Sequence, residues 1–102
     1  MVFKGESLVE QVATQAVRLG AEVLEVEYKD GYEEVFAAKA GVGQGIAGFR
    51  SSSPEASTLR EELHRMAKRK RRIAVDGYEY ELRCGVYESF GEQAFRVELR
   101  RV

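Results

Sequence analysis

The chain has very little of what most chemistry needs. Among its 102 residues there is one cysteine, one histidine, one proline and no tryptophan. A single cysteine, Cys84, rules out an intramolecular disulfide and fits a reducing compartment. One Cys and one His leave too few soft ligands for a zinc site. The opening residues lack the apolar run of a secretory signal. No stretch approaches the roughly eighteen uninterrupted apolar residues of a membrane span, so the expectation is a cytoplasmic protein with no membrane partner. A strong field of one sign is also missing. Sixteen Lys and Arg stand against seventeen Asp and Glu, a net charge of −1, so electrostatic steering must be local.

What is present is an ordinary globular composition, 44 % hydrophobic and 32 % charged, on a length that suits one domain over 1–102 with no internal linker. Ser7-Leu8-Val9-Glu10 reads as a capping box. Leu8, Val9, Val12, Ala13, Ala16 and Val17 then recur at helical spacing until Gly20, where a C′ glycine stops the helix. Leu24, Val26 and Tyr28 alternate with Glu25 and Glu27 as a half-buried strand. Asp30-Gly31 makes a type I′ turn that pairs Val26 with Val35 and Leu24 with Ala37. Glu33 and Glu34, beside that turn, read as solvated surface.

Residues 41–49 break the alternation. Four glycines in eight residues predict a glycine-rich loop with positive φ angles or close backbone approach, anchored to the core by Ile46 and Phe49, with a short strand as the alternative. Ser53-Pro54-Glu55 then caps a second helix whose apolar stripe is Ala56, Leu59, Leu63 and Met66. It ends in five consecutive cations. Ile73 and Val75 lead to a second Asp-Gly turn, Asp76-Gly77. Tyr78, Tyr80, Leu82, Cys84 and Val86 share the inner face of the strand that follows. A loop at Ser89-Phe90-Gly91-Glu92 pairs Val86 with Phe95, Cys84 with Val97 and Leu82 with Leu99, and sets Arg83 opposite Glu98 and Glu81 opposite Arg100. The predicted fold is α+β in the order α-β-β-α-β-β-β, with two helices on one face of a mainly antiparallel sheet.

Three constellations are candidates for function. The first is an open sheet edge, which predicts a small non-catalytic interaction module that pairs with a protein partner or with itself. The second is the basic run Lys68, Arg69, Lys70, Arg71 and Arg72, with Arg65 one turn earlier, which suits nucleic-acid or ribosome binding. The third is an anion or small-ligand site in 41–53, where Gly43, Gln44, Gly45, Arg50, Ser51 and Ser52 precede a helix N-terminus. That run matches neither the Walker pattern nor a dinucleotide fingerprint, because no Gly-Lys-Ser/Thr and no strand–loop–helix unit accompanies it. His64, with Glu61 a turn back, reads as a partly exposed helix histidine rather than a base. Cys84 reads as a small apolar residue. The catalytic ingredients are thin, so no enzyme, cofactor or metal is expected.

Leu8 to Tyr28, a helix closed by Leu19-Gly20-Ala21-Glu22 and followed by Val-Leu-Glu-Val-Glu-Tyr, resembles the opening of bacterial ribosome maturation factors. It is about equally similar to the first helix and strand of modulator-of-gyrase-type proteases. The resemblance covers about a fifth of the chain and implies a helix–turn–strand. The metal-binding part of the protease family has no counterpart in the sequence.

Overall fold

A computed structural model describes residues 7–102; the opening segment, read above for a leader, lies outside the described residues. The elements are α1 (Leu8–Arg18), β1 (Val23–Lys29), β2 (Tyr32–Lys39), β3 (Val42–Arg50), α2 (Pro54–Lys68), β4 (Arg71–Val75), β5 (Tyr78–Ser89) and β6 (Glu92–Arg101). They build an α+β domain with one six-stranded antiparallel sheet, ordered β3-β2-β1-β6-β5-β4. Both helices pack on its inner face.

The local signals act as chemistry requires. The Ser7 hydroxyl accepts from the Glu10 amide at 2.9 Å, and the Ser53 hydroxyl from the Ala56 amide at 3.1 Å. Pro54 occupies the first turn of α2, where its missing N–H costs nothing. Gly20 ends α1 at φ +80°. The expected return bond of the capping box is replaced by a longer reach: the Glu10 carboxylate takes the Arg71 guanidinium of β4.

Four two-residue turns connect the hairpins, and both central residues of each have positive φ, the type I′ signature. Two are the expected Asp30-Gly31 and Asp76-Gly77. The others are Ala40-Gly41 and Phe90-Gly91, whose first residues are unusual for the left-handed region.

The one correction to the fold lies at 41–49. The expected loop is β3, so the order is α-β-β-β-α-β-β-β. Only Gly41 needs positive φ there. Gly43, Gly45 and Gly48 are extended and pair with Ala38, Phe36 and Glu34 of β2. All three sit on the outer face, where the Phe36 ring lies over Gly45 and replaces the cross-strand packing that a glycine cannot supply. A bulge opposite Val35 and Phe36 sets Ile46 out of register, and its side chain joins the core margin.

The strand registers agree with the sequence pattern. Val26 faces Val35, Leu24 faces Ala37, and Val86, Cys84 and Leu82 face Phe95, Val97 and Leu99. Central strands β1 and β6 pair Val26 with Phe95. Phe95, Leu24, Val26, Leu82 and Val97 are fully buried beneath Val9, Leu59 and Leu63 of the helices. Each such side chain contributes about 1.5–3 kcal/mol on removal from water.

Candidate functional site

The strand lengths leave one part of the sheet unfinished. β5 has twelve residues, and β4 covers only the five from Tyr78 to Leu82. The seven from Arg83 to Ser89 pair with β6 on one side and, among the described residues, have no strand neighbour on the other. A two-residue type I′ hairpin closes on a hydrogen-bonded pair, here Val75–Tyr78 at one end of β5 and Ser89–Glu92 at the other. Alternation from those pairs turns the backbone of Arg83, Gly85, Tyr87 and Ser89 toward β6. The N–H and C=O groups of Cys84, Val86 and Glu88 are left facing the open side.

The chain before β4 borders that edge. Arg69, extended after α2, and Lys70 stand where further pairs with β5 would form, but the chain turns into α2 there instead. An open notch of about 580 Å³ results between Met66–Lys70 and Arg83–Tyr87. Its apolar floor includes Met66, Cys84 and Val86. Its rim carries Lys68, Arg69, Lys70, Arg83 and Arg96 against one acid, Glu98.

The basic run is therefore not one patch in space. A strand sends successive side chains to opposite faces, and a helix end points elsewhere again. Arg71 is half-buried against Glu10 of α1, and Arg72 reaches Glu79 at 3.5 Å on the outer face. Lys70 contacts Glu81 at 3.5 Å, an acid that also receives Arg83 at 3.7 Å. Arg65, Lys68 and Arg69 are exposed and have no acidic partner among the described residues. Lys68 and Arg69 stand at the notch. The expected registers Arg83–Glu98 and Glu81–Arg100 are present, but Arg83 makes its ion pair with Glu81 along its own strand.

The residues considered for an anion are not brought together. Gly43, Gln44 and Gly45 lie near one end of β3 and Arg50 at the other, about 16–23 Å away along an extended strand. The Ser51 amide donates to the Gly31 carbonyl at 2.8 Å, and the Ser51 hydroxyl donates to Glu33 at 3.1 Å. Arg50 lies over the Tyr32 ring, 5.4 Å from its centroid. Ser52 precedes the Ser53 cap, whose amide donates to the Arg50 carbonyl. A carboxylate already holds the serine that would greet an anion.

Glu33 departs from the solvated surface position expected for it. It is buried, on the inner face, and its carboxylate meets Arg60 of α2 at 3.2 Å. Glu62 of α2 is also buried and accepts the Val9 amide. The signal for Glu33 was weak but present: it follows the inner-face alternation of Val35 and Ala37.

His64 is exposed. Its Nε2 is 3.1 Å from the Gln93 side-chain oxygen, and its ring meets Phe95 edge-on at 5.1 Å. Cys84 is half-buried, and burial pushes its thiol up to about 11, away from thiolate chemistry at neutral pH. Among the described residues no three His, Cys, Asp or Glu side chains converge to hold a metal ion, and no helix is long and apolar enough to cross a membrane.

At the far end of the open edge stands Phe90, fully exposed, with φ +52° at the tip of the β5–β6 turn. A large apolar residue held in the left-handed region costs free energy without returning any packing. No known protein family matches the sequence, and comparison with curated proteins finds no match either.

Proposed function

We propose that this domain is a non-catalytic interaction module that binds a protein partner by adding an extended segment to the open edge of β5. The single observation that carries the reading is the seven-residue overhang Arg83–Ser89, with three residues whose backbone groups lack a strand partner among the described residues. Such an edge is a template for strand addition, in which main-chain hydrogen bonds supply affinity and flanking side chains supply selectivity.

The other edges are less suited to pairing. β3 carries a bulge near its middle, which breaks the spacing a new strand must match. β4 is five residues long and is tied to α1 through Arg71–Glu10, with Arg18–Asp76 closing its turn. The β5 overhang has neither protection. Phe90 at its end adds support, since an exposed aromatic in a costly conformation is the kind of residue a partner buries.

The test is an amide-resolved NMR titration of the labelled protein with a pool of random heptapeptides, alongside a dilution series. Shifts centred on Cys84–Ser89 on adding peptide are expected. The same shifts on concentration alone would assign the edge to self-association. No response at these amides in either series overturns the reading. A second reading, phosphate binding by Arg65, Lys68 and Arg69, draws on their lack of acidic partners among the described residues. It predicts that a short RNA or DNA pool shifts the end of α2 and loses that effect steeply between about 50 and 200 mM salt.

A further inference from the structure

The overhang is closed at one end, where the cations gather, while Glu88 and Glu92 stand at the other, and this decides which way a partner strand can run. β4 pairs with β5 up to Leu82, and Arg69 and Lys70 border the next positions. An added strand lies along Ser89 to Arg83, about 24 Å of extended chain, and must stop or turn away at α2. A strand antiparallel to β5 reaches that block with its C-terminal end. A parallel strand would begin there.

Lys68, Arg69, Lys70 and Arg83 line the blocked end. Glu81 neutralises Lys70 and Arg83 in part, whereas Lys68 and Arg69 have no acidic partner among the described residues. A parallel strand starting here would bring a positive N-terminus against them. An antiparallel strand ending here would bring a carboxylate. We propose that the β5 edge captures the free C-terminal end of an extended acidic segment of a partner protein, antiparallel to β5, with its terminal carboxylate held by Lys68 and Arg69. This rests on the strand-addition reading and adds its direction and chemistry.

The side chains fit that pose. Residues of the added strand on the inner side would meet Met66, Cys84 and Val86, an apolar floor suited to a small aliphatic side chain. Those on the outer side would meet Arg83 and Tyr87, and acidic or hydroxylated residues suit that side. The exposed Gly85 leaves room beside the edge, since a Cβ there would meet only the Arg96 carbonyl at 4.0 Å.

The experiment presents two immobilised pools of random heptapeptides to the purified protein, one tethered through its N-termini with free carboxylates and one with C-terminal amides. Retention at least about tenfold stronger on the free-acid pool is expected, with Asp and Glu enriched near the terminus. The pair Lys68→Glu and Arg69→Glu should remove that preference. Val86→Pro, which deletes an edge-facing donor and leaves the β6 ladder intact, should remove binding to both pools. Should Val86→Pro fail to fold, N-methylation of alternate peptide amides tests the same hydrogen bonds.

Equal retention on both pools, insensitive to charge reversal, overturns the carboxylate inference and leaves edge pairing standing. No retention on either pool overturns both. Retention of short RNA but of neither peptide pool, lost on reversing Lys68 and Arg69, assigns those cations to phosphate and overturns the proposal.

Discussion

The Val9 amide donates to the Glu62 carboxylate at 3.0 Å, so a side chain of α2 caps the first turn of α1. The bond is buried, and it satisfies one of the amides that a helix N-terminus cannot satisfy itself. It also places a negative charge at the positive end of the α1 dipole. Glu62→Ala should destabilise the fold by about 1–3 kcal/mol, because the Val9 donor loses its partner. Glu62→Gln should recover part of that loss. Urea denaturation of the three proteins measures it, and equal midpoints would show the bond to be without consequence.

Glu33 offers a related test. Its carboxylate is buried and held by Arg60 and Ser51. Arg60→Ala leaves that carboxylate with the serine alone and should cost about 1–3 kcal/mol. Combining it with Glu33→Ala should cost less than the sum of the single changes, since the second removes the orphaned group. A double-mutant cycle with strictly additive losses would show the two residues to be uncoupled.

Two hairpin tips hold residues ill-suited to their conformation. Ala40 and Phe90 have φ near +50°, where Asn and Asp are favoured. Ala40→Asn and Phe90→Asn should each raise stability by roughly 0.5–1 kcal/mol, read as an upward shift of a few degrees in thermal midpoint. Phe90→Asn should also weaken retention of peptides selected on the β5 edge, while Ala40→Asn should not. A loss of stability at both sites would contradict the turn assignment.

The exposed pair Arg18–Asp76 gives a pH signature. Arg18 Nε donates to Asp76 at 3.2 Å and Nη2 donates to it at 3.0 Å. These hydrogen bonds hold the Asp76 carboxyl below its ordinary value. The contribution is therefore present above the ordinary carboxylate range, and it fades as pH falls below about 4 through the lowered folded value. Asp76→Asn keeps the turn chemistry and should flatten the acid limb of stability slightly. An unchanged limb would show the pair to be inert.

Cys84 provides a readout of the notch. With its thiol pushed up to about 11 by burial, alkylation of the folded protein should be slow at pH 7–8 and rise steeply only toward pH 11. A bound edge peptide should slow it further. Rapid alkylation at neutral pH would mean that the floor of the notch is wetter than the structure has it.

Helix caps, apolar stripes, two Asp-Gly turns and the registers of two hairpins are all local matters, so the sequence determined them: Ser7, Ser53, Pro54 and the alternation around Val26 and Leu82 act within a few residues of themselves. The third strand was legible only as the alternative to a loop, because Ala40-Gly41 lacks the Asn or Asp of a familiar hairpin turn and the glycines of the segment mimic a loop. Only pairing with β2, and the Phe36 ring over Gly45, makes that segment a strand. Glu33 reads from sequence as a surface acid, and only Arg60, arriving from a distant element, shows why it is buried; Glu62 likewise takes its role from the Val9 amide of another helix. The cations were legible as a run but not as a site. Strand alternation sends Arg71 and Arg72 to opposite faces, while the helix end keeps Lys68 and Arg69 at the notch. The open edge depends on β5 being longer than the strand beside it, and a difference between two neighbours exists only once the sheet is assembled.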